Sequence, residues 1–260
     1  MQELEIQLYQ LVLLLGGTVN LLIAFVLVHN NIWYADYDVY RRARCLTAIA
    51  MAAFGLGFLG HATFEWRLSW PEGASALTLT YFHIGAVVFG WSHTSLMRPT
   101  YPPRSVVVRD LILLMVGITC YWIGLRQDFC FFIFFMHGGY IAYKFYSTYL
   151  NTRHNLQHRQ ADVKPYSWWT PEVKSMILNY HHSFAISCHL IILFGLGGVV
   201  ITALFPTSIW PFIILMLAGM IVFVYIFYSL TEYGNVIDAA TNATEDAVTM
   251  EELKRRLAKK

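Results

Sequence analysis

The stretch Trp210-Pro-Phe-Ile-Ile-Leu-Met-Leu-Ala-Gly-Met-Ile-Val-Phe-Val-Tyr-Ile-Phe-Tyr228 carries no charged side chain from end to end. At about 1.5 Å per helical residue it approaches the ~30 Å of hydrocarbon in a bilayer. Working outward from this run, stretches of similar character predict spans at 7–29, 44–65, 75–97, 106–125, 128–150, 182–204 and 207–230. The connection Arg126, Gln127 and Asp128 makes the fourth and fifth spans an antiparallel hairpin, and Phe205, Pro206 and Thr207 do the same for the sixth and seventh. The expected fold is all-α: a polytopic membrane protein with a seven-helix transmembrane bundle.

Composition supports this. Of 260 residues, 57% are hydrophobic and 13% charged, against about a quarter charged in soluble domains. With 18 basic and 16 acidic side chains the net charge is +2, which excludes a general nucleic-acid-binding surface and leaves the placement of charge as the informative quantity. Basic residues gather in alternate connections: Arg41, Arg42 and Arg44 in the first, Arg98, Arg104 and Arg109 in the third, Arg153, Arg159, Lys164 and Lys174 in the fifth. The second has Arg67 between Glu65 and Glu72, the fourth has Arg126 and the sixth has none. Cytoplasmic loops hold the Lys/Arg excess, so the expected topology has the N-terminus outside and the C-terminus in the cytoplasm, in the inner (plasma) membrane. Trp33, Tyr34, Trp66, Trp70, Trp168 and Trp169 lie where interfacial aromatics belong.

The acidic start Met1-Gln-Glu-Leu-Glu-Ile6 lacks the basic n-region of a signal peptide and is expected to stay as helix. Thr170-Pro171-Glu172 reads as the cap and first turn of a short interfacial helix leading into the sixth span. Residues 1–233 form the expected membrane domain and 234–248 a polar linker. At Thr249-Met-Glu-Glu252 a capping box begins a basic cytoplasmic helix, or a truncated effector domain, over 249–260. Cys45, Cys120, Cys130 and Cys188 show neither C-x-x-C spacing nor a disulfide pattern, though Cys120 and Cys130 flank a short connection and could meet across it. No internal repeat supports an inverted-repeat transporter.

No carboxylate is expected well inside a span, Glu65 and Asp110 being at helix ends, which argues against ion-coupled transport and proton pumping. The last span has no lysine for a retinal Schiff base. Histidine is left: His61, His83 and His137 fall in the expected outer half, and His93, His182 and His189 in the inner half. One reading makes the outer set a ligand pocket with Trp66 and Trp91 as walls, or a metal or haem site. The other has each imidazole joining helices through a hydrogen bond, with Tyr81, Ser92, Thr94 and Tyr140 available as partners. Gly16-Gly17, Gly55, Gly57, Gly85, Gly138-Gly139, Gly195 and Gly197-Gly198 read as close-packing sites, with hinges as the alternative. No G-x-S-x-G, P-loop or H-E-x-x-H motif suggests an enzyme.

Phe64-Glu-Trp-Arg67, the run Tyr81-Phe-His-Ile84 to Trp91-Ser-His-Thr94, and Thr249-Met-Glu-Glu-Leu253 resemble the membrane region of polytopic Bacteroidetes regulators that carry a cytoplasmic AraC-type helix-turn-helix domain. The resemblance implies a membrane sensor that signals to the cytoplasm and on to transcription. The DNA-binding domain itself lies outside this chain, so no nucleic acid is expected to bind it as it stands. Its expected partners are the lipid bilayer and a cytoplasmic protein docked on Arg153 to Lys174 and the C-terminal helix. The alternatives are a haem-binding membrane redox protein, a small transporter or a structural subunit of a membrane complex.

Overall fold

A computed structural model describes the backbone of residues 2–34, 37–98, 100–123, 127–158 and 171–257, with side chains described except at 2, 32–33, 127–128, 152–181 and 234–257. The described residues are helical, without strands. The long helices are α1 (Gln2–His29), α2 (Asp38–Phe64), α4 (Pro71–Met97), α5 (Arg104–Trp122), α6 (Gln127–His158), α7 (Pro171–Leu204) and α8 (Trp210–Leu257). A 3-10 turn, Asn30–Tyr34, follows α1, and a one-turn helix, α3 (Trp66–Ser69), joins α2 to α4.

Six of these helices, α1, α2, α4, α5, α7 and α8, contain segments long and apolar enough to cross a membrane. The expected span 128–150 falls in α6, which is long enough but less apolar because His137, Gly138, Gly139 and Lys144 interrupt it. Around the bundle, large apolar side chains face outward, including Phe25 at 63%, Ile214 at 65% and Ile221 at 74% exposure. Water would not support so many on one small protein, whereas lipid solvates them without cost.

Helix α1 packs on α2, α2 on α4, α4 on α7, α7 on α8, and α8 back on α1, while α5 and α6 lie against α4. Enclosure explains the composition of α4: Ser75, Thr78, His83, Ser92, His93, Thr94 and Ser95 are all buried in protein. Phe54 on α2 is the centre of the core, with rings of Tyr81, Phe82, Phe194 and Phe223 within 4.8 to 5.9 Å of its own. Helices α1 and α2 cross in backbone contact, since a Cβ built on Gly17 would lie 3.1 Å from the Gly55 carbonyl oxygen.

At one end of the bundle, the Arg44 end, buried Arg44 donates to the Leu27 carbonyl at 3.2 Å and Tyr40 donates to the Leu230 carbonyl at 2.7 Å. Tyr40 thus fastens α8 to α2. Tyr40→Phe is expected to cost about 1 kcal/mol, read as an earlier thermal unfolding midpoint in detergent.

Two helices differ from their expected form. Helix α7 begins at Pro171 as the sequence indicates, but it runs unbroken to Leu204, so no separate interfacial helix precedes the span. Helix α8 does not stop at the change of composition after Tyr233: its backbone is helical through 234–248 to Leu257, and no new helix starts at Thr249. Gly234 is followed by no proline, and the alanines and acidic residues beyond it sustain a helix already nucleated in the bundle. Cys120 and Cys130 do meet, the Cys130 thiol lying 3.6 Å from the Cys120 carbonyl, with no disulfide between the two. Residues 159–170, including Arg159, Lys164, Trp168, Trp169 and Thr170, and the side chains of Arg153, Lys174 and the basic C-terminus, lie outside the described residues.

Candidate functional site: a buried polar chain between α4, α5 and α6

Two of the expected outer histidines come together and the third does not. His83 on α4 and His137 on α6 meet with Nε2 of the first 2.9 Å from Nδ1 of the second. On its other side His83 Nδ1 lies 2.9 Å from the Tyr121 hydroxyl of α5. His137 Nε2 approaches Asp110 Oδ1 at 3.4 Å, a close electrostatic contact longer than an ordinary hydrogen bond. Asp110 is fully buried and accepts from Trp91 Nε1 at 2.8 Å through Oδ2. Its Oδ1 accepts from Arg109 Nη2 at 2.6 Å and Nε at 2.9 Å. Arg109 in turn donates to the Tyr140 hydroxyl at 3.0 Å, and its guanidinium lies over the Tyr140 ring at 4.5 Å. The side chains thus form a sequence Tyr121, His83, His137, Asp110, Arg109.

Geometry on each helix creates this chain. Tyr121 and Asp110 are three turns apart on one side of α5, about 16 Å along its axis at 1.5 Å per residue. Gly117 lies between them, and a Cβ there would come within 2.8 Å of the His83 ring, so the absent side chain admits the imidazole. The second packing cluster, Val87, Trp91, Tyr101, Leu114 and Ile141, closes the Arg109 end. In the connection between α4 and α5, burial, together with Asp110, pushes the Tyr101 phenol up to about 12, which keeps it neutral.

Asp110, expected at a helix end, is buried in protein. It is near the start of α5, yet its side chain turns into the bundle, where Arg109 supplies the counter-charge and Trp91 a neutral donor.

His61 belongs to a different cluster, at the opposite end from Arg44. Its Nε2 is 3.0 Å from Thr78 Oγ1, which Arg67 also reaches at 3.2 Å. Arg67 is 2% exposed, donates to the Pro206 carbonyl at 2.8 Å and stacks 3.3 Å from the centre of the Phe212 ring. Burial lowers the Arg67 pKa from its usual value. Glu65, in the left-handed region with φ 50°, ends α2 and turns the chain so that Arg67 points inward. Sequence reasoning placed Arg67 as a loop charge; the flanking Trp66 and Trp70 were the available signal of an interfacial position. Arg67→Ala is expected to cost about 2 to 3 kcal/mol, because it removes the bridge between α4 and the α7–α8 turn and leaves Thr78 and the Pro206 carbonyl short of a donor. Chemical unfolding in mixed micelles measures it.

The remaining candidates are dispersed. Trp66 packs on Phe64, Trp70 and Trp122 near the surface, away from the His83 pair. His93 ties its Nδ1 to the Phe89 carbonyl at 3.0 Å, and His189 does the same with Ala185 at 2.7 Å. His182 is exposed, and among the described residues no hydrogen bond joins His93, His182 and His189. Among the described residues no three His, Cys, Asp or Glu side chains gather as a metal-binding group.

The fold and this site define a class: an all-helical protein with six membrane-compatible helices and a polar chain buried beside its central helix. Comparison with family models, curated proteins and solved structures finds no match.

Proposed function

We propose that the chain is a membrane sensor that transmits a change in its buried polar chain to the cytoplasm, with α6 as a seventh span, the N-terminus outside and the C-terminus inside. The carrying observation is that His137 sits about a third of the way along a helix that continues unbroken to His158. About 30 Å of helix thus runs from the His83–His137 contact to His158. Imidazole pairs change donor and acceptor roles readily, so the contact supplies two arrangements for a stimulus to select. Helix α8, anchored by Tyr40 and continuing to Leu257, is a second rigid output. The alternation of basic connections supports the orientation, and the position of α6 against α4, α5 and α7 supports its membrane placement.

Spin labels at Ser147 on α6 and Thr231 on α8 test the reading in lipid nanodiscs. The expected result is a change of roughly 2 Å or more in the measured separation between wild type and His83→Leu or His137→Leu, the scale of interface helix shifts. An identical distance distribution in all three proteins would refute coupling. A cytoplasm-only reporter fused after Lys260 is expected to be active; activity confined to a periplasm-only reporter would overturn the orientation.

A second reading, proton movement, is favoured by the chain covering about 16 Å of α5, roughly half the hydrocarbon thickness. Vesicles loaded with a pH-sensitive dye decide it: an Asp110-dependent proton flux, lost in Asp110→Asn, supports conduction, and equal leak in both proteins removes it.

A further inference from the structure

A cavity of about 200 Å³ lies between α4, α6 and α7, walled by Phe82, Phe89, Phe134, Phe145 and Phe194, with His93 among its lining residues. Close-packed interiors leave few voids larger than a water molecule, and an apolar cavity of about 150 Å³ already accepts benzene. Size therefore points to one substituted ring or a short chain, and it is too small for a haem macrocycle.

The cavity opens toward the membrane-facing surface. Its lining includes Phe135 at 39% and Leu196 at 41% exposure, both on the outside of the bundle. Between them, Cβ atoms built on Gly139 of α6 and Gly195 of α7 would meet nothing within 4 Å. These glycines leave open space beside the cavity on both helices.

Among the lining residues, His93 brings a buried ring nitrogen without a partner. His93 is 2% exposed, and its Nδ1 must carry the hydrogen, because it faces the Phe89 carbonyl, which can only accept. Its Nε2 is then a bare acceptor, and no described residue supplies a donor to it. A buried acceptor without a donor is costly, so a bound molecule that brings a hydroxyl is favoured over one that does not. His83, His137 and Asp110 do not line the cavity, which makes this a separate site, although Phe134 forms part of its wall and also packs on the His83 ring at 5.7 Å.

We infer that the α4–α6–α7 cavity binds a membrane-soluble phenol or alcohol, an apolar ring or short chain whose single hydroxyl donates to His93 Nε2. The inference goes beyond signalling and stands whether or not the bundle is a sensor.

Fluorine NMR on the full chain in nanodiscs tests it with 4-trifluoromethylphenol and its donorless analogue 4-trifluoromethylanisole, empty nanodiscs serving to subtract partitioning. Saturable binding is expected for both, the phenol about tenfold tighter. His93→Leu is expected to keep anisole binding and bring the ratio close to one. Gly195→Leu and Gly139→Leu, which project into open space and so leave the fold intact, are expected to weaken both probes at least tenfold. Equal affinity of the two probes for wild type, no saturable binding, a preserved tenfold ratio in His93→Leu, or wild-type binding by both glycine variants would each overturn the assignment. Should His93→Leu fail to fold, the wild-type ratio and the glycine variants decide alone.

Discussion

Asp110→Ala is expected to destabilise the folded protein by about 2 to 3 kcal/mol. The carboxylate is fully buried and receives Trp91 Nε1 at 2.8 Å and Arg109 Nη2 at 2.6 Å, so its removal leaves an indole N–H without an acceptor and a cation without its counter-ion. The Arg109 side chain is 39% exposed and can turn toward the interface, which holds the cost below that of a fully enclosed pair. Asp110→Asn keeps an acceptor for Trp91 and is expected to lose about half as much. Reversible unfolding in mixed micelles, with near-ultraviolet dichroism reporting the Trp91 environment, measures both. Equal stability of Asp110→Ala and wild type would show that the chain contributes nothing to the fold.

Gly55→Leu is expected to be the most damaging single change outside that chain. A Cβ at residue 55 would lie 3.0 Å from the Gly17 carbonyl oxygen of α1 and 2.8 Å from the Leu21 side chain. Leu21 can turn aside, but the α1 backbone cannot, so a full side chain must drive the two helices apart. Overpacking of this kind costs about 3 kcal/mol, and here it also parts α1 from α2 along the most extensive helix contact in the bundle. The folded, monodisperse fraction on size exclusion is expected to fall sharply, whereas Gly139→Leu, with open space around it, leaves it unchanged. A wild-type yield for Gly55→Leu would mean the helices do not cross in backbone contact.

The glycines show where linear reading ran out. Gly17, Gly55, Gly117, Gly139 and Gly195 look alike in the sequence, yet the first two carry a helix crossing, the third admits an imidazole and the last two border a cavity. Space around a glycine is set jointly by three or more helices, and no local pattern encodes it. Arg44 and Arg67 illustrate the same limit for charge: each was legible as a marker of topology, while its burial at 2% depended on carbonyls and rings from distant segments. His83 and His137 were legible as polar groups at similar depth, but the inward turn of Asp110 was not, because distance from a helix end says nothing about which way a side chain turns.

Hydropathy and helix length are properties of consecutive residues, and through them the sequence by itself determined the all-helical class, six of its seven expected spans as membrane-compatible helices and the start of α7 at Pro171. Pairing, enclosure and void are properties of surfaces brought together. Only the tertiary structure decided that His83 meets His137, that His61 joins Arg67 instead, that Asp110 faces inward and that a cavity forms beside His93. The physical reason is the long-range character of these contacts: side chains on different helices become neighbours through rotation and crossing of each helix, and the periodicity of any one of them leaves both undetermined.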